Sequence, residues 1–206
     1  MTEARRYSGR DADERSAARR ERLLAAALDL FGTDGYQSTA IERLCATAKV
    51  STRHFYHEFT NKEAVLIALH AAITEDAIAA TAAALATAPT APVQARVVPA
   101  VTAYLRSIMS DFRRVRVSFV EVVGASRAVE QMRLDYREAI IATVTHEGEA
   151  GVARGEIAAR DFRFAGLALI GAINSVVYDW SLDDPRSSIE DLETAVVALA
   201  TTLLTG

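Results

Sequence analysis

Between Ser38 and Glu63 the sequence breaks twice in quick succession, and each break carries the side chains that start a helix. Thr39 followed by Glu42 reads as a reciprocal capping box, the hydroxyl taking a free amide while the carboxylate reaches back. Ile41, Leu44, Cys45 and Ala48 then share one face, as a helix lying over a core requires. Val50 and Ser51 follow at once as staple and cap of a second helix, in which Phe55 and Phe59 point inward. Thr52, Arg53, His54, Tyr56 and His57 are left facing out. Asn61 caps the next helix and places Lys62 in its first turn, beside free amides. Two helices joined by a tight turn, the second bearing an outward row of hydrogen-bonding side chains, form a helix-turn-helix, whose second helix enters the major groove of DNA.

The remainder reads as all-α. No set of alternating segments is present, and alanine-rich runs with helical spacing cover most of the length. Residues 1–13, with Arg5, Arg6 and Arg10, read as a flexible arm able to reach a minor groove. A first helix is expected over about 14–32, with Leu24, Leu28 and Phe31 inward and Gly32 or Gly35 ending it. The reading unit closes a domain of residues 14–62, and residues 63–206 form a second helical domain. Helix 4 runs from Lys62 to about Thr87 and ends in the Ala-Pro-Thr-Ala-Pro linker. Pro99 either kinks helix 5 or delays its start. Val115, Val117 and Phe119 alternate as a strand would, but no partner strand exists, so a helix is expected over 112–124. Helix 7 covers about 127–150, Asp161 caps helix 8, and a capping box from Ser187 to Glu190 opens helix 9 after the loop Leu182–Arg186. Helix 8, apolar around its circumference from Phe164 to Val177, demands cover on all sides.

A formal charge of −4 looks unsuited to DNA until it is divided by position. Residues 1–62 hold 11 Lys+Arg against 9 Asp+Glu, and the rest 12 against 18, so the basic residues gather at the reading end. His54 and His57 can add to them. The longest apolar run, Phe164 to Val177, is short of the ~20 residues that span a bilayer, and the N-terminus is polar, so a cytoplasmic protein without membrane contact is expected. The lone Cys45 allows no internal disulfide and reads as a small core residue. His54 and His57 could approach a metal together, but no third ligand is evident; no metal site and no cofactor are expected. No catalytic motif or phosphate loop is present, so the chain is not expected to be an enzyme.

Residues 16–69 resemble the N-terminal domain of the TetR/AcrR family of transcriptional repressors. The likeness rests on the run Leu-Leu-Ala-Ala-Ala-Leu-Asp-Leu-Phe-Gly-Thr-Asp-Gly-Tyr at 23–36. It continues through Thr39, Ile41, Leu44, Ala48, Val50, Ser51, Phe55, Tyr56, His57, Phe59, Asn61, Lys62 and Glu63. Lys49 departs from the pattern, which usually has glycine in that turn. The resemblance implies a homodimer through the last two helices and a small-molecule pocket within 88–206 whose occupancy respaces two reading heads. Small residues of helix 8 (Ala168, Gly171, Ala172, Ser175) and the stripe Val196, Leu199, Ala200, Leu203 of helix 9 suit such an interface.

The expected function is a ligand-responsive repressor on a pseudo-palindromic operator of double-stranded DNA. Arg53, with its bidentate fork, is the first candidate to read guanine, with Thr52 and His54 behind it. Thr39, Ser51, Tyr56, His57 and Lys62 are candidates to hold phosphates. A largely apolar effector is expected, and Tyr104, Met109, Phe112, Phe119, Tyr136, Asn174, Tyr178 and Trp180 are candidate pocket residues that combine bulk with polar tips. An effector-independent regulator, an activator, or an all-α binding protein with a vestigial reading head would share the same sequence features.

Overall fold

A computed structural model describes the backbone of residues 3–183 and 187–206, with side chains from Asp13 onward. The helices are α1 (Glu3–Thr33), α2 (Ile41–Ala48), α3 (Thr52–Glu58), α4 (Lys62–Ala86) and α5 (Val93–Met109). They continue with α6 (Phe112–Arg116), which runs straight into a π-helical turn (Val117–Glu121), then α7 (Arg127–Ala153), α8 (Phe162–Leu182) and α9 (Ile189–Thr205). No strand occurs among the described residues. The chain divides into two compact units, residues 1–71 and 72–206, the division falling within α4.

In the first unit α1 begins at Glu3, so the expected arm is helical from there; the side chains of Arg5, Arg6 and Arg10 lie outside those described. Its buried stripe is Leu23, Ala26, Ala27, Leu30 and Phe31, which leaves the expected Leu24 and Leu28 only half-buried at its edge. The helix ends where Gly35 takes φ 97°, a conformation that suits a residue without Cβ. Leu44, Cys45 and Ala48 of α2 and Phe55 of α3 close onto α1. Between them Lys49 adopts φ 53°, ψ 46°, the one left-handed non-glycine among the described residues, and its amide returns to Ala46 O.

The second unit is a bundle of helices in which α5 packs on α9 and α7 on α8. α5 begins directly after Pro92 and carries Pro99 inside it. Val115, Val117, Ser118, Phe119 and Val122 are all buried, a density no ordinary helical face provides. The π turn supplies it by widening the helix at Val117–Glu121, and this accounts for the strand-like alternation. α7 runs a few residues beyond the expected end at about 150, through Gly151 to Ala153, and Gly155 follows at φ 71°. The cap of α9 is Ser188, whose hydroxyl accepts from Asp191 N, one residue after the expected Ser187. The loop expected at 182–186 falls mostly on residues outside those described.

α8 buries one face, with Leu169, Ile170, Ile173 and Val177 in the core. The full cover that its composition demands is not met within one chain: Phe164 is 64% exposed and Leu182 62%, with Leu167 and Val176 also open. α4 and α8 are long and apolar enough to span a bilayer by composition alone, yet each contributes a buried stripe to its helical unit.

A left-handed lysine carries a local cost that glycine avoids, offset in part by the greater chain entropy of glycine. Lys49→Gly should therefore raise stability by about 0.5–1 kcal/mol, visible as a higher urea midpoint with an unchanged slope.

Candidate nucleic-acid interface and internal cavity

Ser51 starts α3 by accepting the amide of His54 at 3.3 Å, and its hydroxyl oxygen also lies 3.0 Å from His54 Nδ1. Phe55 is fully buried and packs edge-on to Tyr56, with Phe59 below it at 6.2 Å between ring centres. With those anchors inward, Thr52, Arg53, His54, Tyr56 and His57 form one exposed surface, and Tyr56 is 57% open despite its size.

The end of α3 is tied to α1 by Glu58. Its carboxylate accepts from Ser16 Oγ at 2.6 Å and Arg19 Nε at 2.9 Å, and its carbonyl from Arg20 at 3.4 Å. The Arg20 guanidinium lies 4.3 Å over the Phe59 ring. Burial raises the Glu58 carboxyl, but the hydrogen bonds of Ser16 and Arg19 and the charges of Arg19 and His57 outweigh it and hold it below its ordinary range. Sequence reasoning missed this junction, although Ser16, Arg19 and Arg20 continue the inward stripe of Leu23 by helical spacing.

Two of the expected phosphate ligands are placed elsewhere. Thr39 is 1% exposed and donates its hydroxyl to Gly35 O at 2.8 Å; the cap position of α2 belongs to Ala40, which makes no side-chain bond. The Thr39–Glu42 capping box is therefore absent, because the hydroxyl is drawn into the α1–α2 turn. Lys62 points its ammonium into the same turn, donating to Tyr36 O at 2.8 Å, Thr39 O at 2.9 Å and Gln37 O at 3.4 Å, and it lies 4.4 Å from the centre of the Tyr36 ring. Desolvation draws this ammonium below its usual range. Asn61 does cap α4, through Ala64 N at 2.8 Å.

The second unit holds a half-open cavity of about 150 Å³ between α4, α5, α7, α8 and α9. Its wall is aliphatic, with Ile78, Leu85, Val97, Ile140, Val144, Leu169 and Ile173 among the lining, and Tyr104 is its one aromatic ring among the described residues. Of the eight candidate pocket residues only Tyr104 lines this space. Met109 and Phe119 are core, Phe112 packs on Trp180 at 6.2 Å, and Trp180 Nε1 donates to Ser187 O. Tyr136 donates to Glu75 at 2.8 Å, while Asn174 is half-buried and Tyr178 exposed on α8, outside the lining. Bulk and polarity mark residues that the bundle uses as filling or leaves at its surface. Arg96 and Glu147, which sequence reasoning did not single out, stand in the cavity wall as an ion pair at 2.8 and 3.1 Å.

Because the Glu58 carboxyl sits below its unfolded value, its stabilisation is present above that value and fades as pH falls through the folded one. Between about pH 6 and pH 3 the wild type should lose more stability than Glu58→Gln, measured by urea midpoints. Lys62→Met should lower stability by ~1–2 kcal/mol by removing the ammonium that the carbonyls of Tyr36, Gln37 and Thr39 share. It should leave the salt slope of DNA binding unchanged, whereas a lysine seated on a phosphate would reduce that slope by about one unit.

Residues 23–69 match the model of bacterial regulatory proteins of the tetR family, and residues 90–204 match that of the tetracyclin repressor-like C-terminal domain. A tetR-family regulatory protein from Rhodococcus RHA1 is 25% identical, over 91% of this chain and 97% of its own, with a TM-score of 0.74. The regulator FadR from Bacillus subtilis, solved with stearoyl-CoA, is 19% identical over 88% of this chain and 97% of its own, TM-score 0.76. A TetR-family regulator from Syntrophomonas wolfei is 20% identical over 91% and 95%, TM-score 0.78. Curated proteins give no sequence match. With a helix-turn-helix unit followed by a matching C-terminal domain over more than half its length, the chain belongs to the TetR family of transcriptional regulators.

Proposed function

We propose that this regulator is a repressor that holds a pseudo-palindromic operator as a homodimer and releases it when a small effector enters the cavity of the second unit. The observation that carries the DNA half of this reading is the exposed row on α3. Arg53 makes no bond or ion pair among the described residues, so its forked guanidinium is free to meet the O6 and N7 of guanine. Thr52 and His54 flank it as secondary readers. Ser51, Tyr56 and His57 supply phosphate contacts at the edges of the helix. Thr39 and Lys62 act one step back, by fixing the turn on which α2 stands.

The open apolar stripe of α8 supports pairing of the last two helices with those of a second copy. Gly171 lies on the open side with nothing within 4 Å of where a Cβ would stand, which leaves room for the close approach of another helix. The effector half rests on the apolar cavity, together with the relative FadR, which is described with stearoyl-CoA bound. An effector shifts the heads only as far as its affinity differs between the DNA-competent and released arrangements.

Selection from random duplexes should enrich a two-fold symmetric sequence. Enrichment of none would leave a binding protein with a vestigial head as the better reading. Arg53→Ala should flatten preference at one position per half-site by ~1–3 kcal/mol, read by competitive titration against point-substituted operators. Equal weakening on every duplex would move Arg53 to the phosphates.

A further inference from the structure

The charge and size of the cavity constrain what can enter it more narrowly than apolarity does. Among the described residues Arg96 and Glu147 are the only charged residues lining it, and they form an ion pair, Nη1 to Oε2 at 2.8 Å, with a hydrogen bond from Nη2 to Oε1 at 3.1 Å. Their side chains are 10% and 18% exposed, so the pair is compensated and mostly shielded from water. A carboxylate or ammonium brought into this space would lack a counter-ion unless it pushed one partner aside, and the displaced partner would then be the uncompensated charge. Thr81 donates to Ala77 O and Thr143 to Ala139 O, whereas Arg96 Nε and Glu147 Oε2 lack a hydrogen-bond partner although the two side chains compensate each other's charge. Tyr104 carries the neutral polar tip that is left: among the described residues its hydroxyl has no hydrogen-bond partner. Desolvation pushes its phenol up to about 12, so near neutral pH it stays an uncharged group that can both donate and accept.

Space sets the second limit. An apolar protein cavity of comparable volume accommodates a molecule of about benzene's size, and the aliphatic walls here favour a flexible or saturated body.

We propose that the cavity takes a small uncharged amphiphile, an alcohol-like compound of roughly six to ten heavy atoms, whose single polar group meets Tyr104 while its hydrocarbon body contacts the aliphatic wall. The assignment rests on the effector-responsive reading above. It separates this chain from a regulator that takes a long anionic acyl thioester, since no uncompensated cation lines the cavity among the described residues.

The test is calorimetric titration of the full-length protein with hexan-1-ol, hexanoate and hexylamine, which share a chain and differ in head charge, and with stearoyl-CoA. Hexan-1-ol should bind at least about tenfold tighter than either ion. Tyr104→Phe should weaken the alcohol by roughly three- to tenfold, the loss of one neutral hydrogen bond, with melting temperature confirming the fold. Glu147→Gln leaves Arg96 without its counter-charge and should reverse the order, so that hexanoate overtakes the alcohol. Equal or tighter binding of hexanoate, hexylamine or stearoyl-CoA by the wild type overturns the assignment, as does failure of all four to bind. Operator release is followed separately by fluorescence anisotropy. Alcohol binding without release upholds the ligand class and overturns the effector-responsive reading, whereas release by stearoyl-CoA without alcohol binding does the reverse.

Discussion

The reading surface hangs on a helix of seven residues, too short to persist alone, since isolated helices below ~12–15 residues are marginal in water. Its order is therefore borrowed. Phe55 and Phe59 drive it into the first unit, Ser51 closes its start, and Glu58 fastens its end to Ser16, Arg19 and Arg20 of α1. On the opposite side Lys62 gathers the carbonyls of Tyr36, Gln37 and Thr39, which fixes the turn from which α2 departs. The angle at which α3 presents Arg53 is thus a property of α1 and the first turn of α4 as much as of α3. Buried polar side chains here determine direction, while the aromatic residues supply most of the adhesion.

The second unit uses its residues in the opposite way. A half-open hollow of about 150 Å³ among packed helices costs the contact free energy that its aliphatic wall would gain from partner atoms. A molecule that fills it recovers part of that free energy, and this couples occupancy to the arrangement of the helices around it.

The elements were legible in the sequence wherever a local rule was sufficient. Ser51, Asn61, Asp161 and the inward Phe55 and Phe59 are set by neighbours within four residues, and the helix type by periodicity. Thr39 and Lys62 escaped because their partners lie in the turn before α2, where a bend brings carbonyls within reach that no spacing reveals. Ser188 stands one residue from the expected cap because two serines in succession offer the same chemistry. The cavity escaped for a deeper reason. A hollow is defined by what several helices fail to fill, so small aliphatic side chains such as Ala82, Ala100 and Val101 mark it, whereas large amphipathic residues such as Tyr136 and Trp180 find partners and close up.

The wide turn at Val117–Glu121 has a bearing on how such a chain changes over time. A π turn is equivalent to an α-helix holding one extra residue, and the surplus is absorbed locally without rotating the chain beyond it. Loss of a single residue in this stretch would restore the narrower winding, drawing Ser118 or Phe119 out of the core. α7 would still begin from its own cap at Ser126. Length variation that would scramble the register of an ordinary helix can therefore be accommodated here, beside the core of the second unit and outside the cavity wall.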